Sequence, residues 1–363
     1  MKVLHLSSEK TWRGGEQQIA YLVEELQILG VENVVASKKG SVFEQYAVKS
    51  GLTNYSFSFK NSVDIGTALR LKKLAGAINP DIIHAHTSKG HGIIAIAGAL
   101  GLRSSIVLSR RVDFELKKSG FSNWKYNLPQ IKKILCVSDE IKRMVQKSIK
   151  NPDRAVTVYS GVKLNRFKNI NHQNYLKNRF QLPHDSFLIG NTSAIADHKD
   201  YFTFVDTAKK IVEARTENVF FFIIGDGPMR EEIKSYVKDT NLEKRVFFTG
   251  FIDNIPEVLQ ELDVFLMTSK TEGLGTSVLD AFASGLTVVS TNGGGLKETV
   301  HHNETGLLAN VGDSGTLAKY VIELMNDSEQ KNRLTQTALT FVQKFSKQNT
   351  AKKTYQIYQD LIS

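Results

Sequence analysis

Between Leu262 and Ser290 the chain reads LDVFLMTSKTEGLGTSVLDAFASGLTVVS. A strand-like apolar run ends at Met267, a polar loop carries Glu272, and the glycines Gly273 and Gly275 precede a helical pattern that starts near Thr276. A loop carboxylate accepts hydrogen bonds and the N–H groups at a helix entrance donate them, so the segment suits a ligand that carries hydroxyls and negative charge. Asp280 lies eight residues past Glu272 on the first turns of that helix, so a second carboxylate reaches the same small ligand. Sugars and riboses are rich in hydroxyls. Taken alone, a glutamate at a helix entrance serves equally well as a cap.

Other segments have the same design of glycine or charge directly after an apolar run. Ser290–Leu308 reads STNGGGLKETVHHNETGLL, where glycines expose N–H groups toward an anion, Glu298 faces a ligand or caps a short helix, and His301 and His302 face solvent. Phe221–Pro228 places Gly225 and Gly227 in a turn after a strand, but Arg230 stands where a dinucleotide fingerprint needs its third glycine. Ser7–Gln17 reads SSEKTWRGGEQ, with Gly14 and Gly15 opening a helix beside Arg13, and with Trp12 as a stacking or packing residue. Asp81–His86 ends with His84 and His86 two apart, hence on one face. No carboxylate or cysteine accompanies that pair as a ligand set, so no metal is expected. Arg110–Lys133 interleaves Arg110, Arg111, Lys117, Lys118 and Lys125 with Phe114, Phe121, Trp124 and Tyr126. Such a pattern suits a lipid interface or a phosphorylated acceptor, ranked before single-stranded nucleic acid because no recognition module accompanies it.

The elements that position these residues alternate along the chain. Strands are predicted at Lys2–Leu6, Val31–Ala36, Asp81–Ala85, Ser105–Ser109, Lys133–Val137 and Ala155–Tyr159. After a polar bridge, Asn165–Asp185, strands follow at Phe187–Thr192, Val219–Ile224, Val246–Thr249, Asp263–Met267 and Leu286–Ser290, with helices such as Gln17–Leu29, Asp139–Ser148, Phe202–Ala214 and Met229–Lys238 between strands. Two tandem βα series imply an α/β protein of two Rossmann-like, doubly wound parallel sheets facing a cleft, with ligands at the carboxyl ends of the strands. The domains are expected at residues 1–166 and 167–346, with a C-terminal helix near 347–363 packing back on the first. A length of 363 residues suits two such cores.

The net charge of +10 is uneven: residues 1–166 hold 26 Lys and Arg against 13 Asp and Glu, and residues 167–363 hold 21 against 24. The first half therefore carries the whole excess, which predicts an anionic partner there. The single cysteine, Cys136, lies in an apolar run and can form no internal disulfide, which fits a reducing compartment. Met1–Leu6 runs straight into a strand pattern, and the longest mostly apolar stretch, Gly92–Leu102, falls well short of the roughly 20 residues that span a bilayer. A cytoplasmic protein is expected, peripheral on the inner face of the membrane.

The Glu272 segment resembles the glutamate, seven residues, glutamate motif of the retaining glycosyltransferases of family 4, which have the GT-B fold, and the resemblance extends over nearly the whole chain. It implies that Glu272 contacts the donor sugar, that the amides of Gly273, Leu274 and Gly275 support sugar and diphosphate, and that Asp280, in the place of the usual second glutamate, holds the ribose. Gly294, Gly295 and Glu298 match the family's Gly-Gly-x-x-Glu segment. The family's arginine five residues before a lysine is present only as Lys199, with Ala194 in the arginine's place; Lys199 is then the cation for the diphosphate, with Arg110 and Arg111 as possible substitutes for the other. The resemblance further implies that Gly14 and Gly15 pass close to the donor, that Gly225 and Gly227 border the nucleotide pocket, that Gly250, Phe251 and Ile252 border the base, and that His86 sits beside the donor sugar. The implied activity is retaining transfer from a nucleotide-diphosphate sugar to a glycan or lipid-linked acceptor of lipopolysaccharide or cell-surface polysaccharide, with no cofactor and no metal. The rivals are a sugar-nucleotide epimerase on the same architecture and a non-catalytic sugar-nucleotide-binding module.

Overall fold

The structure, a computed structural model, describes residues 1–114, 120–168, 170, 174–214 and 218–363. It divides into two units, Met1–Gly161 with Lys347–Ser363, and Val162–Ser346. The first break falls five residues before the expected position 166.

The first unit is a seven-stranded parallel sheet: β1 (Lys2–Ser7), β2 (Glu32–Lys38), β3 (Thr53–Phe57), β4 (Ile82–Ala85), β5 (Ser105–Arg110), β6 (Ile131–Cys136) and β7 (Ala155–Thr157), in the order β3-β2-β1-β4-β5-β6-β7. The second is a six-stranded parallel sheet: β8 (Phe187–Thr192), β9 (Val219–Ile224), β10 (Val246–Gly250), β11 (Val264–Met267), β12 (Thr287–Thr291) and β13 (Leu307–Ala309), in the order β10-β9-β8-β11-β12-β13. Both are doubly wound. The strand order reverses between β1 and β4 in one sheet and between β8 and β11 in the other, which opens a crevice at the carboxyl ends of those strands.

The strands form because short β-branched and aromatic runs bury both faces, as parallel sheets covered by helices require. All six residues of β9, Val-Phe-Phe-Phe-Ile-Ile, are buried. β3 and β13 escape the sequence reading, and both are edge strands. β3 reads Thr-Asn-Tyr-Ser-Phe with three exposed positions, and β13 has three residues, so neither carries the apolar run of a central strand.

The helix Lys347–Ile362 belongs to the first unit, where Ala351 and Tyr358 join the core formed by Val3, Leu22, Leu26, Ile82 and Leu135. Lys347 anchors it to the helix Gly14–Ile28: its Nζ lies 2.7 Å from Glu24 Oε2 and 2.9 Å from Glu25 Oε1. Glu25 is buried, so removing the lysine strands a carboxylate in low dielectric. Lys347→Met is expected to cost about 3 kcal/mol, read from the urea midpoint of the first unit's unfolding, and adding Glu25→Gln should recover much of that loss.

Candidate functional site

The chemistry of the second unit gathers on loops that follow β8, β9, β11 and β12. After β8 the chain makes a single 3-10 turn, Asp197–Lys199, and Asp200 then caps the helix Tyr201–Glu213 by accepting from the Thr203 N–H. After β11 the loop carries Ser269, Lys270 and Glu272. The two loops are tied together: the Lys270 N–H donates to His198 O at 2.9 Å, Lys270 Nζ pairs with Asp197 Oδ1 at 2.9 Å, and Thr268 Oγ1 donates to Asp200 O at 3.0 Å. This backbone frame brings Lys199 Nζ to 2.5 Å from Glu272 Oε1, with side chains only 14% and 11% exposed. Ser269 Oγ donates to the same oxygen at 2.8 Å. The ammonium keeps two further N–H donors and the carboxylate keeps Oε2, so one cation and one acceptor are held side by side, oriented and largely dehydrated.

The three glycines after β12 have a role that the sequence reading did not assign. A Cβ on Gly293, Gly294 or Gly295 would stand 2.4 Å from Lys270 O, 2.5 Å from Glu272 O and 2.4 Å from Gly273 O, respectively. The Gly295 N–H donates to Glu272 O at 2.8 Å. Gly294 and Gly295 thus let one loop lie directly against the loop of Glu272, and the Gly295 N–H is spent on that contact rather than offered to an anion. Glu298 follows on the short helix Leu296–Thr299.

Gly275, at φ +82°, precedes the helix Thr276–Ala283, whose first N–H groups have no partner within the helix. Gly273 and Leu274 lie between it and Glu272. Asp280 sits on this helix, and burial pushes its carboxyl up to about 7, with Arg166 opposing the shift.

The loop after β9 packs as closely. A Cβ on Gly225 would meet Ser193 O at 2.2 Å and one on Gly227 would meet Ile195 O at 2.3 Å, which places Ala194 between these contacts, exposed and without charge. The Gly225 N–H donates to Gly250 O at 3.0 Å, so Gly250, Phe251 and Ile252 adjoin the same turn, and Phe251 is 75% exposed. Sequence reasoning used Arg230 only to reject a fingerprint and missed its placement: its Nη1 pairs with Asp226 Oδ2 at 2.9 Å, beside Gly250. It also missed Ser269, whose position two residues past the strand was the available signal.

In the first unit the helix Gly14–Ile28 opens with Gly14 and Gly15, around which a side chain would meet open space. Trp12 packs on Phe43 and Tyr46, so its packing reading holds. Arg110 is buried with its Nη2 donating to Phe114 O, and is no surface cation. Trp124 is 39% exposed beside Phe121, with Lys125 Nζ 6.0 Å from the Phe121 ring. Lys117 and Lys118 lie outside the described residues.

The histidines depart from expectation. Strand register sets His5 beside His84, and together with His86 their ring nitrogens come within 4.8 Å, a trio the sequence reading reduced to a pair. Hydrogen bonding accounts for every ring nitrogen of the trio. Asn33 Nδ2 donates to Val23 O and Val31 O, so Asn33 Oδ1 must accept from His5 Nε2 at 3.0 Å. By elimination, His86 Nε2 donates to His5 Nδ1 (3.0 Å), Ser109 Oγ to His86 Nδ1 (3.3 Å), His84 Nε2 to Ser109 Oγ (2.8 Å), and Tyr358 OH to His84 Nδ1 (2.5 Å). Burial lowers the pKa of His5 to about 4 and holds His84 and His86 well below the usual range, so the chain is neutral at pH 7. His86 therefore has no unengaged nitrogen to offer a sugar; its role is internal.

Comparison with known proteins gives these loops a context. Residues 173–340 match the family described as "Glycosyl transferases group 1", and residues 12–166 match "Glycosyltransferase Family 4". The chain belongs to the family 4 glycosyltransferases of GT-B fold. It is 27% identical over 311 residues to the N-acetyl-alpha-D-glucosaminyl L-malate synthase of Bacillus anthracis, covering 82% of this chain and 80% of that one. It is 24% identical over 355 residues to the lipopolysaccharide core biosynthesis glycosyltransferase LpsE of Rhizobium meliloti, covering 96% of each. Among solved structures, Anabaena Alr3699/HepE in complex with UDP-glucose has the same fold, with a TM-score of 0.88 at 19% identity, over 99% of this chain and 100% of that one.

Asp280 gives the site a pH signature. Between the ordinary carboxyl range and about 7 the native protein holds a proton that the unfolded chain has released, so stability falls as pH rises through that window. Asp280→Asn removes the titration. Its gain in Tm over the parent should be larger at pH 8 than at pH 5, and equal gains at both would show that Asp280 does not titrate there.

Proposed function

We propose that the protein transfers a glycosyl group from a nucleotide-diphosphate sugar, with retention of anomeric configuration and without a metal, to a glycan or lipid-linked acceptor of lipopolysaccharide or cell-surface polysaccharide. The observation that carries this is the Lys199–Glu272 pair at 2.5 Å, set beside the entrance of the helix Thr276–Ala283. The remaining N–H donors of Lys199 and the amides of Thr276 and Ser277 at the helix entrance stabilise a departing diphosphate. Glu272 Oε2 accepts from donor-sugar hydroxyls while Ser269 and Lys199 hold Oε1. Asp280 takes the ribose hydroxyls, Gly225 and Gly227 border the nucleotide pocket, and Gly250, Phe251 and Ile252 border the base.

In this mechanism the bond from the anomeric carbon to the diphosphate oxygen breaks on the face where the acceptor hydroxyl attacks. The acceptor proton passes to the leaving diphosphate, so no side-chain base is required, which agrees with the engaged nitrogens of His86. Charge on the leaving group is met by a lysine and by backbone dipoles, so the proposed step calls for no divalent cation. Solved complexes of the Anabaena protein contain UDP and UDP-glucose, which supports trying a uridine donor first. The likeness to the Rhizobium lipopolysaccharide core glycosyltransferase supports a lipopolysaccharide-type acceptor.

The acceptor side is assigned to the basic first unit. No described helix is long and apolar enough to cross a membrane. The exposed Phe121 and Trp124, on a unit with an excess of cations, suit a peripheral contact with an anionic bilayer, on the inner face of the membrane. Trp124→Ser is expected to reduce co-sedimentation with phosphatidylglycerol vesicles and to leave that with phosphatidylcholine vesicles unchanged.

A thermal-shift screen of nucleotide diphosphates and their sugars identifies the donor. With that donor, Glu272→Ala and Lys199→Met are each expected to lower turnover by about 10²–10³, and NMR of the product should show the donor's anomeric configuration. Transfer at parental rate by Glu272→Ala, or an inverted product, would overturn the reading.

A further inference from the structure

One cation in the first unit is left unanswered. Arg111 directly follows β5, and its Nε and Nη1 are shielded from solvent with no hydrogen-bond partner among the described residues. The side chain borders a cavity of about 20 Å³ with Gln18, His84, Ser109, Ser160 and Thr354. That volume admits roughly one water-sized group, hence one oxygen of a larger anion.

None of the described neighbours accepts from these two donors. His84, His86, Ser109 and Tyr358 are committed to one another in the directed chain described above, and all are neutral. Gln18 is spent twice on Gly161, donating to its carbonyl at 2.7 Å and accepting from its N–H at 3.0 Å. Glu16 is the acid whose field reaches Arg111, and one of its oxygens accepts from the Arg13 N–H at 3.2 Å. Burial lowers the Arg111 pKa to about 10, so it remains a cation at neutral pH. A shielded guanidinium with unused donors destabilises a fold that has nothing else to give it. A ligand that supplies the acceptor removes that cost.

We propose that Arg111 receives an anionic oxygen, from a phosphate or carboxylate group of a substrate, at the carboxyl end of the first sheet. The guanidinium supplies charge-assisted hydrogen bonds from Nε and Nη1, and Ser109 and Ser160 wall the pocket that seats the oxygen. From the proposed transfer reaction this takes only that the anion belongs to a substrate. Two sources share the chemistry, the donor diphosphate and an anionic acceptor.

The test follows melting temperature of the full chain at low ionic strength as inorganic phosphate is added. The parent is expected to rise by about 2–4 °C, and Arg111→Met to rise by clearly less, the remainder belonging to the Lys199 site. Without phosphate, Arg111→Met should melt at or above the parent, because two shielded donors without acceptors are gone; a merely structural arginine would lower it. Should that variant not fold, Arg111→Lys serves, with an expected weakening of phosphate binding of tenfold or more. A response that persists in saturating UDP assigns the anion to the acceptor, and one that UDP abolishes assigns it to the donor. No response in the parent, or equal responses in parent and variant, overturns the proposal. Glycosyl transfer could fail in Glu272→Ala with the phosphate response intact, and the reverse, so the two readings fail separately.

Discussion

Lys199 and Glu272 are 73 residues apart and meet at 2.5 Å with little water around them. Everything in the second unit that bears on function serves that contact. β8 and β11 are parallel neighbours at the place where strand order reverses, so the loops leaving them must run side by side. Backbone hydrogen bonds and Thr268 then fix the distance between the loops. The glycines after β12 allow a third loop to press against Glu272 from behind, where any side chain would collide with backbone. A pair of opposite charges in such a frame is electrostatically quiet, with a donor and an acceptor already oriented. The frame then has no reorganisation left to do, which is the condition under which fixed charges stabilise a transition state most.

The first unit solves a different problem. It carries an excess of cations, yet the carboxyl end of its sheet holds a chain of neutral groups from Tyr358 to Asn33, each donating to the next. The direction of that chain is set at one end by two backbone carbonyls that only an amide N–H can satisfy. The same logic removes His86 from the chemistry and leaves the Arg111 Nε and Nη1 donors without a partner among the described residues. The helix Lys347–Ile362 supplies both the tyrosine that begins the chain and the lysine that ties the helix down, so the far end of the polypeptide completes the core of its beginning.

The legible part of this protein was local. Apolar runs of four to six residues, bounded by glycine and charge, predicted eleven strands at nearly their observed positions, because buried parallel strands must be apolar on both faces. Edge strands β3 and β13 gave no such signal. Glu272 stood out because a carboxylate, two glycines and a helix start share one short loop, and Lys199 because a charge follows a strand end.

What the sequence could not determine was partnership across distance. His84 and His86 were visible as a pair, but His5 joins them only because β1 lies beside β4 in a register that sets His5 against His84. The glycines Gly293, Gly294 and Gly295 looked like anion donors, and only packing revealed that backbone approach to the Glu272 loop is what requires them. Lone pairs and N–H groups are properties of residues. Whether each is spent or left over is decided by neighbours that the chain brings together from far along its length, and this protein's chemistry rests on what is left over.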